Sequence, residues 1–140
     1  ASKSKDPSTK VGALIIGPDK EIRSTGYNSF PRGLNDAVAS RAERPEKYFW
    51  IEHAERNAIY NAARCGTTLK DCTIYVNELP CLDCARGVVQ AGIKEVVVFD
   101  SNPDFRERWK EHMERVEELF EECGVRVRHV TSAELEKASA

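Results

Sequence analysis

The chain has 140 residues, 41% hydrophobic and 31% charged, with a formal net charge of −2. That length suits one domain with its own core, and the composition is that of an ordinary soluble globular protein. No apolar run approaches the roughly 20 residues that cross a bilayer, no signal-peptide pattern opens the chain, and the charge offers no basic surface for duplex nucleic acid.

In chain order, residues 11–17 form an apolar run of strand length, Pro18-Asp19-Lys20 a turn, and residues 21–27 a second, more polar strand. So short a connection predicts an antiparallel hairpin. Residues 28–48 contain Pro31, Gly33, Asn35, Asp36 and Pro45 without periodicity, and a loop that long in a compact domain is usually functional. Ala54, Ala58, Ile59 and Ala62 recur at three and four, predicting a helix over 53–64 that Gly66 stops. A strand over 72–76, a helix over 82–91 ended by Gly92, and a strand over 95–99 follow. Next comes one long helix, 105–123, with Trp109, Met113, Val116, Leu119 and Phe120 on one face and Gly124 closing it. Residues 125–130 alternate Val with Arg and His, as an edge strand with one wet face does. Residues 131–138 add a short final helix. The order β-β-α-β-α-β-α-β makes the last strands parallel and residues 1–140 a single α/β domain.

Five cysteines at irregular spacings argue against a disulfide framework and for reduced thiols in a cytosol. Cys65, Cys72 and Cys123 read as small buried hydrophobes, and neither they nor His112 and His129 make a convincing second metal site. Cys81 and Cys84 belong to Pro80-Cys81-Leu82-Asp83-Cys84, which pairs with His53-Ala54-Glu55. One imidazole and two thiolates are a zinc ligand set, and three protein ligands leave a fourth position for water. Cysteines three apart share one side of a helical turn, Pro80 suits a helix start, and the positive end of the helix favours thiolate over thiol. His53 and Glu55 are two apart and would point nearly opposite ways inside a helix. Both face one cavity only if His53 stands at the very start. The motifs then describe two helix N-termini meeting over one metal, at the carboxyl ends of parallel strands. Glu55 is placed to move protons between a metal-activated water and a substrate. Cys-x-x-Cys also occurs in structural zinc knuckles, and a Glu beside a His can be an ordinary solvated residue. A structural site, however, wants a fourth protein ligand at matched spacing, and no convincing one is present.

His-x-Glu followed by Pro-Cys-x-x-Cys is a recorded signature of zinc-dependent base deaminases, so here a known pattern is matched. Around it, the sequence resembles the zinc-dependent cytidine deaminase superfamily, and within it the deoxycytidylate (dCMP) deaminases, over residues 5–128. The resemblance rests on residues 6–13 (Asp6 to Ala13), 26–33 (Gly26-Tyr27-Asn28-Ser29-Phe30-Pro31-Arg32-Gly33), 53–59, 80–85 and 90–93. It implies a cytidine deaminase-like three-layer sandwich, with a five-stranded mixed sheet ordered 2-1-3-4-5 and helices on both faces. It implies zinc on His53, Cys81 and Cys84, Glu55 as the catalytic proton shuttle, Asn28 beside the sugar and base, and the Ala54 backbone on the pyrimidine edge. The implied reaction turns dCMP into dUMP and ammonia, in a homo-oligomer (dimer or hexamer) with dCTP and dTTP as possible allosteric ligands. Members of the family usually open with a helix ahead of Asp6. This chain largely lacks it, so one face would be open or the true chain extends further.

A monophosphate needs cationic or amide donors. Of Arg23, Arg32, Arg41, Arg44 and Lys47, Arg32 is singled out because it follows Phe30-Pro31 beside Asn28. The others read as solvated charge, and the same loop could hold an allosteric nucleotide or a subunit contact. Other substrates for the same chemistry are CMP, a free nucleoside, a base such as guanine, or adenosine in tRNA, the last disfavoured by the net charge. A non-catalytic zinc-binding subunit is the reading from another class, and Glu55 argues against it.

Overall fold

Five short strands pair into one mixed sheet in a computed structural model that describes residues 1–6, 10–99 and 103–139. Pro7, Ser8 and Thr9 of the first quoted stretch lie outside the described residues. β1 (Gly12–Ile16) and β2 (Ile22–Tyr27) form the expected antiparallel hairpin. β1 also pairs antiparallel with β3 (Thr73–Val76), while β3, β4 (Glu95–Phe99) and β5 (Arg126–Val130) run parallel. The order is β2-β1-β3-β4-β5, as the resemblance implied. Between β2 and β3 lie a 3-10 turn (Ala39–Ala42), α1 (Lys47–Trp50) and α2 (Ala54–Cys65). α3 (Leu82–Gln90) connects β3 to β4, and α4 (Pro103–Arg108) and α5 (Lys110–Glu122) connect β4 to β5, before a final α6 (Ser132–Ser139). No described helix is long and apolar enough to cross a membrane.

Strand alternation sends Ala13, Ile15, Ile74, Val76, Val96 and Val98 to one side. There they form the core with Ala58 and Ala62 of α2, Val88 of α3, and Val116 and Phe120 of α5. α2 packs on β1 and β2 and beside α3, and α3 packs beside α5, so these helices make one layer. The crossovers advance in one direction across the sheet, and right-handed crossovers then lay α2, α3 and α5 on the same face. The opposite face carries Leu14, Val97 and the stacked rings of Tyr75 and Phe99, 5.8 Å apart, with Glu95 paired to Arg126 and Arg128 at its edge.

Two expectations change. The long helix is interrupted at Trp109, whose φ of −109° and ψ of 18° separate α4 from α5. Trp109 is 45% exposed rather than part of the core, with its ring against Phe105 and His112. Of the three cysteines expected inside, only Cys72 is buried. Cys65 closes α2 and Cys123 caps α5, and both are exposed.

α2 lies so close to β2 that only a glycine fits beneath it. A Cβ on Gly26 would overlap the Ala54 carbonyl oxygen and the Ala58 backbone nitrogen, neither of which can move without shifting the helix. Gly26→Ala is therefore expected to destabilise the protein by about 1–3 kcal/mol, the usual cost of overpacking. Gly87, inside α3, has room for a Cβ, whose nearest neighbour would be the Ile59 side chain at 3.5 Å. Gly87→Ala should raise stability by up to about 1 kcal/mol through helix propensity. Urea midpoints of the two variants check both signs.

Candidate active site

His53 is the N-cap of α2, with extended backbone at φ −75° and ψ 151°, and Ala54 is the first helical residue. This departure from helical geometry lets His53 and Glu55 serve one site despite their spacing. Cys81 stands likewise at the N-cap of α3, at φ −65° and ψ 168°, with Cys84 in the first turn. The two helix starts bring the side chains together. His53 Nδ1 lies 3.4 Å from Cys81 Sγ and 3.4 Å from Cys84 Sγ. Among the described residues these three alone form such a donor group, all within 4.8 Å of one another, and no fourth protein ligand joins them.

The donor set fits zinc. Tetrahedral angles with Zn–S of about 2.3 Å and Zn–N of about 2.0–2.1 Å put sulfur roughly 3.6 Å from nitrogen, close to the two 3.4 Å separations. The electrostatics agree. With protons as the only cations, the Cys81 thiol is held well below its ordinary range by the hydrogen bond from Cys84, with His53 as a further donor. Cys84 is pushed far up by its bond to Cys81, and burial adds to the effect. The pair thus keeps one proton where a dication would let both ionise. His53 is raised chiefly by its hydrogen bond with Cys81.

Glu55 lies beside this group, 5% exposed, and burial raises its carboxyl above the ordinary range. Ala54 is fully buried at the head of α2. Asn28 is brought near through its neighbour: Ser29 and Glu52 exchange backbone hydrogen bonds of 3.1 and 2.8 Å, one residue before His53. The Asn28 side chain is itself held at both ends, its Oδ1 accepting the Val11 N–H at 2.9 Å and its Nδ2 donating to Asp6 at 3.4 Å. Arg32 is placed differently. Its guanidinium donates to Asn61 Oδ1, and Asn61 sits eight residues along α2 from His53, roughly 12 Å of helix axis at 1.5 Å per residue. Arg32 lines a cavity of about 520 Å³ with Tyr27, Phe30, Lys47 and Tyr60; Ser29 and Glu52 form a wall of this cavity, and none of the metal-ligand residues does.

Three residues here escaped the sequence reading. Lys47 was expected to be solvated, yet its ammonium is buried 3.1 Å from Asp6, with side chains 5% and 2% exposed. Glu52 accepts the His53 N–H at 3.1 Å and the Arg56 guanidinium at 2.6 Å. Arg56 also faces Asp83, between the two cysteines, at 3.9 Å. Arg41 and Arg44 lie over the Trp50 and Tyr48 rings. The sequence signals for these contacts are spacings of four, between Glu52 and Arg56 and between Arg44 and Tyr48. The Asp6–Lys47 pair spans 41 positions and leaves no local pattern.

Comparison with known proteins agrees with the geometry. A family model described as the cytidine and deoxycytidylate deaminase zinc-binding region matches residues 1–100. An uncharacterised deaminase of the luxG 3′ region of Aliivibrio fischeri is 41% identical over 124 residues, 89% of this chain and 81% of that protein. The deoxycytidylate deaminase of Homo sapiens is 42% identical over 102 residues, 69% of this chain. The chain spans 56% of that human enzyme's length, and 57% of a probable deoxycytidylate deaminase from Caenorhabditis elegans. The crystal structure of the dCMP deaminase of cyanophage S-TIM5 in complex with dCMP and dUMP shares the fold at a TM-score of 0.69 and 24% identity, covering 92% of this chain and 85% of that one.

Removing one partner of a buried ion pair leaves the other uncompensated, at a cost of about 3–5 kcal/mol. Lys47→Ala should cost stability on that scale, and denaturant unfolding will show whether Lys47 is instead an ordinary surface cation with an effect near zero.

Proposed function

The chain belongs to the cytidine and deoxycytidylate deaminase zinc-binding family, and from that membership we propose that it hydrolyses dCMP to dUMP and ammonia. The observation that carries this reading is a three-donor metal group closing beside one buried carboxyl, Glu55. Bound by His53, Cys81 and Cys84, zinc keeps a coordination position for water and lowers the pKa of that water.

The protein's own residues supply the rest. The Glu55 carboxylate takes a proton from the water whose oxygen adds to C4, and passes it to the ring nitrogen N3. It takes the second proton from the new C4 hydroxyl and gives it to the departing amino group, so water and dCMP balance as dUMP and ammonia. The first amides of α2 have no acceptor within the helix, and the Ala54 N–H is the donor assigned to the pyrimidine edge. Asn28, pinned between Val11 and Asp6, is assigned to the sugar. Arg32, in the cavity that shares the Ser29–Glu52 wall with the site, is assigned to the 5′-phosphate. A single domain working in the cytoplasm as a homo-oligomer, dimer or hexamer, with dCTP and dTTP as regulators, completes the proposal.

Ammonia release measured across dCMP, CMP, deoxycytidine, cytosine, guanine and tRNA, with and without dCTP and dTTP, tests the substrate. Turnover of dCMP is expected to dominate, and a preference for guanine or tRNA would overturn the assignment. Glu55→Ala should keep one zinc per chain and lose roughly 10²–10⁴-fold in turnover. Cys84→Ala should lose the metal itself, since two donors remain of three; metal analysis of both variants separates the roles. Arg32→Ala should raise the KM for dCMP far more than that for deoxycytidine, and equal effects on the two substrates would remove Arg32 from the phosphate.

A further inference from the structure

The Leu82 amide is the first N–H of α3, immediately after the ligand Cys81 at its N-cap. Such amides lack an acceptor within their own helix, and an N-cap side chain serves the second or third N–H of a helix rather than the first. Here that side chain is a sulfur turned to His53 Nδ1. The acceptor for Leu82 comes instead from 30 positions further along the chain. His112, in the first turn of α5, takes the Leu82 N–H on its Nε2 at 3.0 Å. An acceptor at Nε2 puts the ring proton of a neutral imidazole on Nδ1. The ring is half-buried, with the Trp109 ring edge-on at 6.1 Å and Phe105 behind Trp109 at 6.3 Å. The break at Trp109 thus starts α5 where its first turn meets the first turn of α3.

We propose that His112 is a positioning residue for the metal centre, holding the Cys81 sulfur in place through the Leu82 amide. The inference deepens the zinc reading above and rests on it. The peptide between Cys81 and Leu82 is planar. Fixing its N–H therefore fixes ψ of Cys81, at 168°, and with it the Cα–Cβ bond that aims the sulfur at His53. The hydrogen bond of His112 goes to the backbone beside one ligand, not to a ligand side chain, so it acts through that backbone. A role limited to packing α5 against α3 would need only the bulk of the side chain.

Two polar substitutions separate these roles. In His112→Gln the amide oxygen reaches about as far as Nε2, while in His112→Asn it reaches only as far as Nδ1 and leaves the Leu82 N–H without a partner. The zinc-loaded protein is mixed with a chromogenic chelator to follow zinc release, and the Co²⁺-substituted protein gives the thiolate charge-transfer and ligand-field bands. His112→Asn should release zinc about 10–100-fold faster than wild type, the usual effect of losing an outer-shell partner, with altered Co²⁺ bands. His112→Gln should stay close to wild type in both. Equal zinc release from the two variants, fast or slow, would overturn the proposal. So would a His112→Asn protein that fails to fold where His112→Gln folds, because the bond would then serve the fold and not the metal. A wild-type chain that does not retain one zinc would overturn the zinc reading together with this inference.

Discussion

A histidine and a glutamate two residues apart can reach one point only where extended backbone turns into helix, and both metal-bearing segments of this protein are such places. At His53 the chain is still extended, and at Ala54 it is helical. The imidazole leaves from the cap and the carboxyl from the first turn, so both serve one cavity. Cys81 and Cys84 repeat the device with a wider spacing, one at the cap and one within the first turn. Each helix also contributes the positive end of its dipole, which favours anionic sulfur over thiol. Moving either cap by one residue would rotate its donors by about 100° and dissolve the group.

The sheet keeps those two starts together. β3 and β4 lie side by side and parallel, and α2 and α3 lead into them as crossovers on one face, so their first turns lie at the same end of the sheet. How near α2 lies is decided by small residues. Gly26 gives the α2 backbone room against β2, and Ala54, Ala58 and Ala62 present the helix face that closes the gap. Ser24 adds a direct tie, its hydroxyl donating to the Ala58 carbonyl at 2.6 Å. A larger side chain at any of these points would lift the helix that carries His53 and Glu55. The geometry of the candidate site thus rests on residues with no chemistry of their own.

Features with a local cause were legible in the sequence. The hairpin, the helix that Gly66 ends in left-handed geometry at φ 68°, and the cap positions of His53 and Cys81 all follow from turn, capping and spacing rules acting over a few residues. Features with a distant cause were not. Trp109 continues the helical pattern of its neighbours perfectly well, and only its packing against Phe105 and His112 accompanies the break there. Lys47 sits among charged residues of a loop and becomes interior only because Asp6 arrives from the other end of the chain. The face that α2, α3 and α5 share is a property of crossover direction, which no window of residues contains. Arg32 shows the limit within the candidate site: its neighbourhood in sequence is that of Asn28, while its partner in space is Asn61.

Charge balance gives Glu55 its distinct position. Two thiolates and a neutral imidazole around a dication sum to zero, so the metal group has no net positive charge with which to hold a nearby carboxyl ionised. The other cations near the site are already engaged: Lys47 faces Asp6, and Arg56 is bonded to Glu52. Glu55 enters no ion pair among the described residues, and burial is the largest influence on its pKa, which moves upward. A carboxylate locked to a cation stays charged and can only stabilise charge. One that is buried without such a partner has its protonated and ionised forms brought closer in free energy near neutral pH. The deamination proposed above asks for that property of the group assigned to it, which accepts a proton and returns it twice in one turnover.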